Sequence, residues 1–424
     1  MRYVKLTAII LLAAAVIVGC GTKGVTEPVY ENNKTLHIGA WVAPPPGYIT
    51  DAAYRDIAES GINCIYALYE GGDDALAALE LAGKHGIGYL VRDWALSGLG
   101  DGEFDQAAAM VERYKDYPAF MGHLIADEPG TAQFGRLGGL RKAYNAALPD
   151  KLCYINLFPM YASQEQLNGV DYETYVDEYM KTVQPTVLSY DFYPLLRDGT
   201  GTFVMGNYLR NLEIISKAAI KYDVPWWNFL QAMSFNNYHR SPKYEDLRWQ
   251  AYTTLAFGGS GIQYFCYWTP LDGGGETFGD ALVDREGNKT PIFDYAKRLN
   301  NELLAFDHIL LSYKSVGQMV FPVKRPPTHA KMEQPLESFA PVKSVDGGPV
   351  LVGCFEDDDG NAAVMLVNML DPGKMESVEV TISFANAREL NVYTDGAKER
   401  VVLNGGEYSF VLGAGEGKFV QILK

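Results

Sequence analysis

From residue 36 onward one unit recurs along the chain: a short β-rich apolar run, a few turn residues, then an amphipathic helical stretch. Strand signals fall at Leu36–Val42, Asn63–Leu68, Ile87–Val91, Phe120–Ala126, Leu152–Leu157, Val187–Tyr190, Trp226–Leu230 and Gly261–Tyr267. Helical patterns follow them at Ala52–Ser60, Asp73–His85, Gln106–Lys115, Leu137–Ala147, Glu173–Val183, Tyr208–Tyr222, Tyr244–Phe257 and Pro291–Phe306. Strands that alternate with helices must pair in parallel, and eight such units over about 270 residues predict a closed (β/α)8 TIM barrel. Gly61, Gly86 and Pro225 stand just before strands, where a helix has to stop. An open doubly wound sheet is disfavoured because no Gly-rich phosphate loop follows the first strand. Ala43-Pro44-Pro45-Pro46-Gly47 stands there instead, with almost no N–H groups to offer.

After Leu311 the helical period disappears. Alternating runs at Val350–Phe355, Ala362–Asn368, Ser377–Phe384, Glu389–Tyr393, Tyr408–Leu412 and Lys418–Leu423 predict a small antiparallel β-sandwich. The expected organisation is a leader over residues 1–20, a tether over 21–35, a barrel over 36–311 and a sandwich over 312–424.

The leader reading rests on Arg2 and Lys5 ahead of the apolar run Leu6–Val18, too short for a stable span. It ends Ile17-Val18-Gly19-Cys20, which resembles a bacterial lipobox and implies lipidation at Cys20. Gly21–Thr35 is poor in hydrophobics and reads as a flexible tether. The expected location is therefore the cell envelope, with the membrane contacted only through the lipid.

A net charge of −16 and no basic stripe argue against a nucleic-acid partner. Five cysteines without a CxxC pair, and six scattered histidines, suggest neither zinc nor a disulfide scaffold, and no cofactor is expected. The remaining cysteines, Cys64, Cys153, Cys266 and Cys354, read as buried thiols in strands.

In a (β/α)8 barrel the residues just after each strand meet at one mouth. Here they include Trp41, Asp93, Trp94, Asp127, Glu128, Asn156, Tyr190, Asp191, Tyr193, Gln231, His239, Trp268 and Glu276. Single acidic residues at such positions are often helix caps, and Asp93 or Asp191 could be no more than that. The association of rings with carboxylates is harder to dismiss, because sugar rings stack on aromatic walls. An oligo- or polysaccharide is the expected partner.

Ile125-Ala126-Asp127-Glu128-Pro129 resembles the acid/base strand of the (β/α)8 glycoside hydrolase superfamily that includes β-galactosidases and cellulases. The late segments Leu247–Tyr252, Gly258–Tyr264 with Trp268, and Leu282–Asn288 are similar to such barrels as well. The resemblance implies that Glu128 is the general acid. It also places the family's nucleophile at the end of the seventh strand, where this chain has Gln231, and an amide cannot form a glycosyl ester. Two mechanisms stay open. Asp127 and Glu128 could act together on an N-acetylhexosaminide, as the adjacent Asp-Glu pair does in substrate-assisted β-N-acetylhexosaminidases. Alternatively Glu128 could pair with a carboxylate from another loop, Asp191 first, with Glu276 or Asp272 behind it. From another functional class, a glycan-binding lipoprotein with an inactive, hydrolase-derived barrel would keep the rings and lose turnover.

Overall fold

The computed structural model describes residues 35–69, 72–322 and 326–423; the leader, Cys20 and the tether up to residue 34 lie outside them. Eight parallel strands close into a barrel: β1 His37–Trp41, β2 Cys64–Tyr66, β3 Gly88–Arg92, β4 Phe120–Asp127, β5 Leu152–Leu157, β6 Leu188–Asp191, β7 Trp226–Gln231 and β8 Gly261–Phe265. Each strand pairs with the next, and β8 returns to β1. Most are buried along their whole length, as strands covered by a helical ring outside and side chains inside must be.

The helices form where their caps permit. Thr50 accepts a hydrogen bond from Ala53 N to open Asp51–Glu59, Asp171 accepts from Thr174 N to open Tyr172–Thr182, and Thr290 with Pro291 opens the last barrel helix. The helix expected over 106–115 is short, Ala107–Val111. Just beyond it Tyr114 turns inward, its hydroxyl on Asp93 Oδ2 at 3.2 Å and its ring against Phe120 and His123. These tertiary contacts hold the chain in turns where the pattern alone would continue the helix.

One element has no counterpart in the expected pattern. After β6 a hairpin of Leu195–Asp198 and Gly201–Val204 stands over the mouth. It docks on the loop after β7, where Arg197 N donates to Tyr238 O at 2.8 Å and Arg197 Nε to Asn237 O at 2.9 Å.

The C-terminal strands are β9 Tyr313–Phe321, β10 Val342–Gly347, β11 Val350–Asp357, β12 Ala362–Asn368, β13 Val378–Phe384, β14 Glu389–Thr394, β15 Ala397–Val402, β16 Glu407–Leu412 and β17 Gly417–Leu423. They make two antiparallel sheets, β9-β11-β12-β17-β14-β15 and β10-β13-β16, with an apolar core between them that includes Val352, Val364, Ile382 and Leu412. Helix Tyr244–Ala256 joins sandwich to barrel and is buried nearly all round. The approach is close: a Cβ at Gly353 would lie 2.3 Å from Ala256 O. At the same seam Arg248 binds Glu302 at 2.7 Å and Asp395 at 2.8 Å, while Tyr244 and Tyr252 donate to Glu302 at 2.6 and 2.7 Å.

Candidate active site

Side chains alternate across a strand, so the barrel interior and the mouth take every second residue. On β5 the inward set is Tyr154 and Asn156, and on β6 it is Ser189 and Asp191. Asp127 on β4 is the strand partner of Asn156. The Asn156 amide bridges the two acids, with Nδ2 3.3 Å from Asp127 Oδ1 and 3.3 Å from Asp191 Oδ1. The Tyr193 hydroxyl also donates to Asp191.

Glu128 leaves β4 in the left-handed region, at φ 49°. Such a backbone is unfavourable for a side-chain-bearing residue and persists only where its surroundings fix it. They do so here: Glu128 N donates to Asn156 O at 2.8 Å, and the next carbonyl, of Pro129, accepts from Tyr175 Oη at 2.8 Å. The turn puts the Glu128 carboxyl among acids from other strands, in the field of Asp191, Asp127 and Glu276. No cation pairs with it among the described residues.

Burial is the main cause of the high pKa at all three acids. It lifts Asp127 to about 6 although that side chain keeps an open face toward solvent; the Asn156 hydrogen bond and the Arg92 charge pull the other way. Glu128 and Asp191 are both driven well above the ordinary carboxylate range. Desolvation leads in each case, and the neighbouring negative charges add to it. Like charges packed together at a partly desolvated mouth do not all ionise readily, so the group favours retaining a proton near neutrality, as a general acid must.

The other expected residues divide into two groups. Trp41 lies at the mouth's floor, edge-on to Tyr66 and Phe229 at 6.1 and 5.7 Å, and Trp268 packs on Tyr48 at 4.6 Å. Tyr193 stacks on Phe265 at 4.9 Å, and His239 on Phe235 at 3.8 Å with its basicity lowered by burial. Glu276 is exposed and accepts from Asn236 at 3.4 Å. Trp94 is 62% exposed, its ring 3.9 Å from the Arg92 guanidinium.

Three expectations need correction. Asp93 caps the short helix Trp94–Ser97 through Ala95 N and Leu96 N and is engaged by Tyr114. Tyr190 alternates with the inward Ser189 and Asp191, so it faces the helical layer beside Trp226, Tyr172 and Tyr208. Gln231 is fully buried and spent on backbone: it accepts from Leu195 N at 2.9 Å and donates to Leu195 O at 3.1 Å and Arg240 O at 2.8 Å.

Arg92 was not singled out by the sequence, although it ends β3 beside Trp94. It is 9% exposed, acts electrostatically on Asp127, and its Nε and Nη1 have no hydrogen-bond partner among the described residues. A further regularity emerges only in three dimensions. Tyr48, Tyr69, Trp94, Tyr161, Phe203 and Tyr238 are all exposed, and each lies in a segment following a barrel strand. Apolar rings thus collect at the mouth, where exposed hydrophobics mark binding surfaces. The cavity of 370 Å³ between helices Tyr172–Thr182 and Tyr208–Tyr222 lies on the outer wall, and its Arg210, Lys217 and Lys221 are paired with Glu173, Glu213 and Asp177.

No family model and no curated protein matches the chain. Solved structures do share its fold. A glycoside hydrolase family 5 protein from Bacteroides vulgatus superposes with a TM-score of 0.58 at 12% identity, over 92% of this chain and 89% of that one. A catalytic mutant of a GH42 β-galactosidase from G. stearothermophilus gives 0.58 at 9% identity, over 93% and 99%. The β-galactosidase of the psychrophilic Marinomonas ef1 gives 0.50 at 12% identity over 66% of this chain, which spans only 62% of that protein's length. The chain is thus built on the (β/α)8 barrel found in several glycoside hydrolases.

Proposed function

We propose that the protein is a glycoside hydrolase in which Glu128 protonates the leaving oxygen and Asp191 is the second carboxylate. The observation that carries this reading is the grouping of Glu128, Asp191 and Asp127 at one barrel mouth, with Asn156 bridging the two aspartates. Cleavage needs one carboxyl that keeps its proton and one ionised group facing the oxocarbenium-like centre. Glu128 suits the first role, because nothing cationic pairs with it among the described residues and its neighbours repel the charged form. Asp191 suits the second, because Asn156 and Tyr193 both donate to it and so oppose the desolvation that raises it, once Glu128 carries the proton of the cluster. The strand-7 position used elsewhere in the superfamily is closed here by the backbone bonds of Gln231, which supports a move of that role to β6. The exposed rings around the mouth support a carbohydrate ligand.

The test is a panel of aryl glycosides, N-acetylhexosaminides included, assayed with the native protein and with Glu128→Gln, Asp191→Asn and Asp127→Asn. Glu128→Gln is expected to lower turnover by about 10²–10⁴ on substrates whose leaving group needs a proton and to spare binding; undiminished hydrolysis of those substrates overturns the assignment. If only N-acetylhexosaminides are cleaved, and Asp127→Asn is the more damaging aspartate change, the substrate-assisted route with Asp127 replaces Asp191. Glycans that bind without being cleaved support the inactive, glycan-binding reading. The apolar leader and Cys20 support an extracytoplasmic, lipid-anchored location.

A further inference from the structure

Barrel interiors are normally filled by layers of branched apolar side chains. This one carries a file of polar groups from its floor to the acids. His37 Nε2 lies 2.6 Å from Tyr66 Oη, and Tyr66 Oη donates to Gln263 Oε1 at 2.5 Å. Gln263 Nε2 donates to Ser189 Oγ at 2.9 Å, and Ser189 Oγ donates to Asn156 Oδ1 at 2.9 Å. Tyr154 Oη braces the middle, 2.7 Å from both Ser189 Oγ and Gln263 Oε1. All these side chains are buried.

The proton positions follow from what each group can donate. The far side of the Asn156 amide meets two carboxylates, which when ionised only accept, so its NH2 must face them and its carbonyl must face Ser189. Ser189 then spends its one proton on that carbonyl and accepts from Gln263. Gln263 can donate there only with its carbonyl turned to the two phenols. His37 is neutral in this setting, since burial drives its pKa down to about 3, and its Nε2–H donates to Tyr66. Every proton on the path from His37 through Tyr66, Gln263 and Ser189 to Asn156 therefore points toward Asp127 and Asp191, while Tyr154 gives its single proton to Gln263 or Ser189.

We infer that Ser189, held by Gln263 and Tyr154, is a positioning residue that fixes the orientation of Asn156 and so its donation to both Asp127 and Asp191. This inference rests on the glycosidase reading for its consequence, but not for its physics. A chain of donors aligned in one direction polarises along its length, and Asn156 can donate to both acids only in one orientation. Without the Ser189 proton, either face of the amide could turn to the acids. Other groups act on the same acids. Asp127 feels Arg92 from β3, Cys266 and Glu276 after β8, and the Tyr154 and Tyr193 phenols; Asp191 feels Tyr161, Tyr172 and Tyr193, and Tyr190 from the helical layer; the two aspartates and Glu128 also act on one another. None of these touches the Asn156 carbonyl, and Tyr154 alone among them also contacts Ser189.

The test is Ser189→Ala with Ser189→Thr as the conservative control, read in two ways. The first is the pH profile of kcat/KM on whichever aryl glycoside the native protein cleaves. Ser189→Ala should move the acidic limb upward by about one pH unit, with KM little changed and Thr restoring the native limb. The second needs no activity: the carboxyl titrations of Asp127 and Asp191 followed by NMR in protein carrying 13C in its Asp carboxyls, assigned with Asp127→Asn and Asp191→Asn. The same upward shift is expected. Unmoved aspartate titrations in folded Ser189→Ala overturn the inference whether or not the protein hydrolyses anything. A shift in the titrations of a protein that cleaves no glycoside upholds the relay and counts against the hydrolase reading alone.

Discussion

If Glu128 holds its proton because the folded site repels its charged form, then ionisable chemistry at this position costs stability, and removing it should return that stability. An unfolded glutamate titrates near ~4.3. In the folded chain Glu128 titrates well above that, through desolvation and the charges of Asp191, Asp127 and Glu276. With the folded pKa raised, the folded form binds more protons than the unfolded form throughout the window between the two values. Stability therefore falls as pH rises from about 4, and below about 4 the penalty is absent because both states are protonated. If Glu128 stays protonated at pH 7, the penalty there reaches at most about 3.7 kcal/mol, roughly 1.4 kcal/mol per pH unit above the unfolded value. The side chain is only partly buried, so about 1–2 kcal/mol is the working expectation.

Glu128→Gln keeps the shape and the left-handed backbone and removes the titration. The variant should melt about 1–3 °C above the native protein at pH 7, with the gap closing toward pH 4. Turnover should fall by about 10²–10⁴, least for aryl glycosides whose leaving groups need no proton. Melting curves at half-unit pH steps, beside the aryl glycoside assay, measure both effects on one sample. A variant that is less stable than the native protein at pH 7, or a melting difference that does not change with pH, refutes the electrostatic argument even if activity is lost.

Gln231→Glu tests whether the strand-7 position can still host a nucleophile. The new carboxylate would face the carbonyls of Leu195 and Arg240, where Gln231 now donates, so it should create no activity and lower stability by about 2–4 kcal/mol in urea unfolding. Arg248→Ala leaves Glu302 buried without its cation at the seam between barrel and sandwich and should cost about 3–5 kcal/mol; a loss under about 1 kcal/mol in the same assay would show that the pair is solvated. Cys20→Ala should abolish incorporation of labelled fatty acid and release the protein from membranes; labelling that persists would place the lipid elsewhere.

Element positions were legible because parallel strands under a helical cover must be apolar runs, and Trp226–Gln231 or Leu152–Leu157 cannot be anything else in such an alternation. The same uniformity hides which face each residue takes. Tyr190 and Asp191 are adjacent and both lie at the end of β6, yet one enters the helical layer and the other the mouth; a strand buried on both sides gives no hydrophobic alternation from which to read that parity. Ser189, Tyr154 and Gln263 are hidden for the same reason, as ordinary strand residues whose meaning lies in partners 33 to 197 positions away. Asp93 was legible in both of its readings, and only Tyr114 with the Ala95 and Leu96 amides decided for the cap. The hairpin after β6 carries a signal, Asp198-Gly199-Thr200-Gly201 between two short β-prone runs, which the stronger βα alternation on either side masks.

That hairpin also accounts for the amide at the end of β7. Its first residue, Leu195, is gripped through both its N–H and its C=O by Gln231, and the neighbouring Arg240 carbonyl takes the second amide proton. An amide is the side chain that can satisfy a backbone donor and two backbone acceptors at once; a glutamate would meet two carbonyls with no proton to give. The residue that fixes the hairpin cannot also be an ionised nucleophile. The same hairpin leaves the barrel two residues after Tyr193, whose hydroxyl donates to Asp191, so pinning Leu195 also anchors one of the two donors on that acid. The amide at β7 and the support of Asp191 at β6 are in this sense one structural arrangement, and replacing Gln231 by Glu should loosen the second.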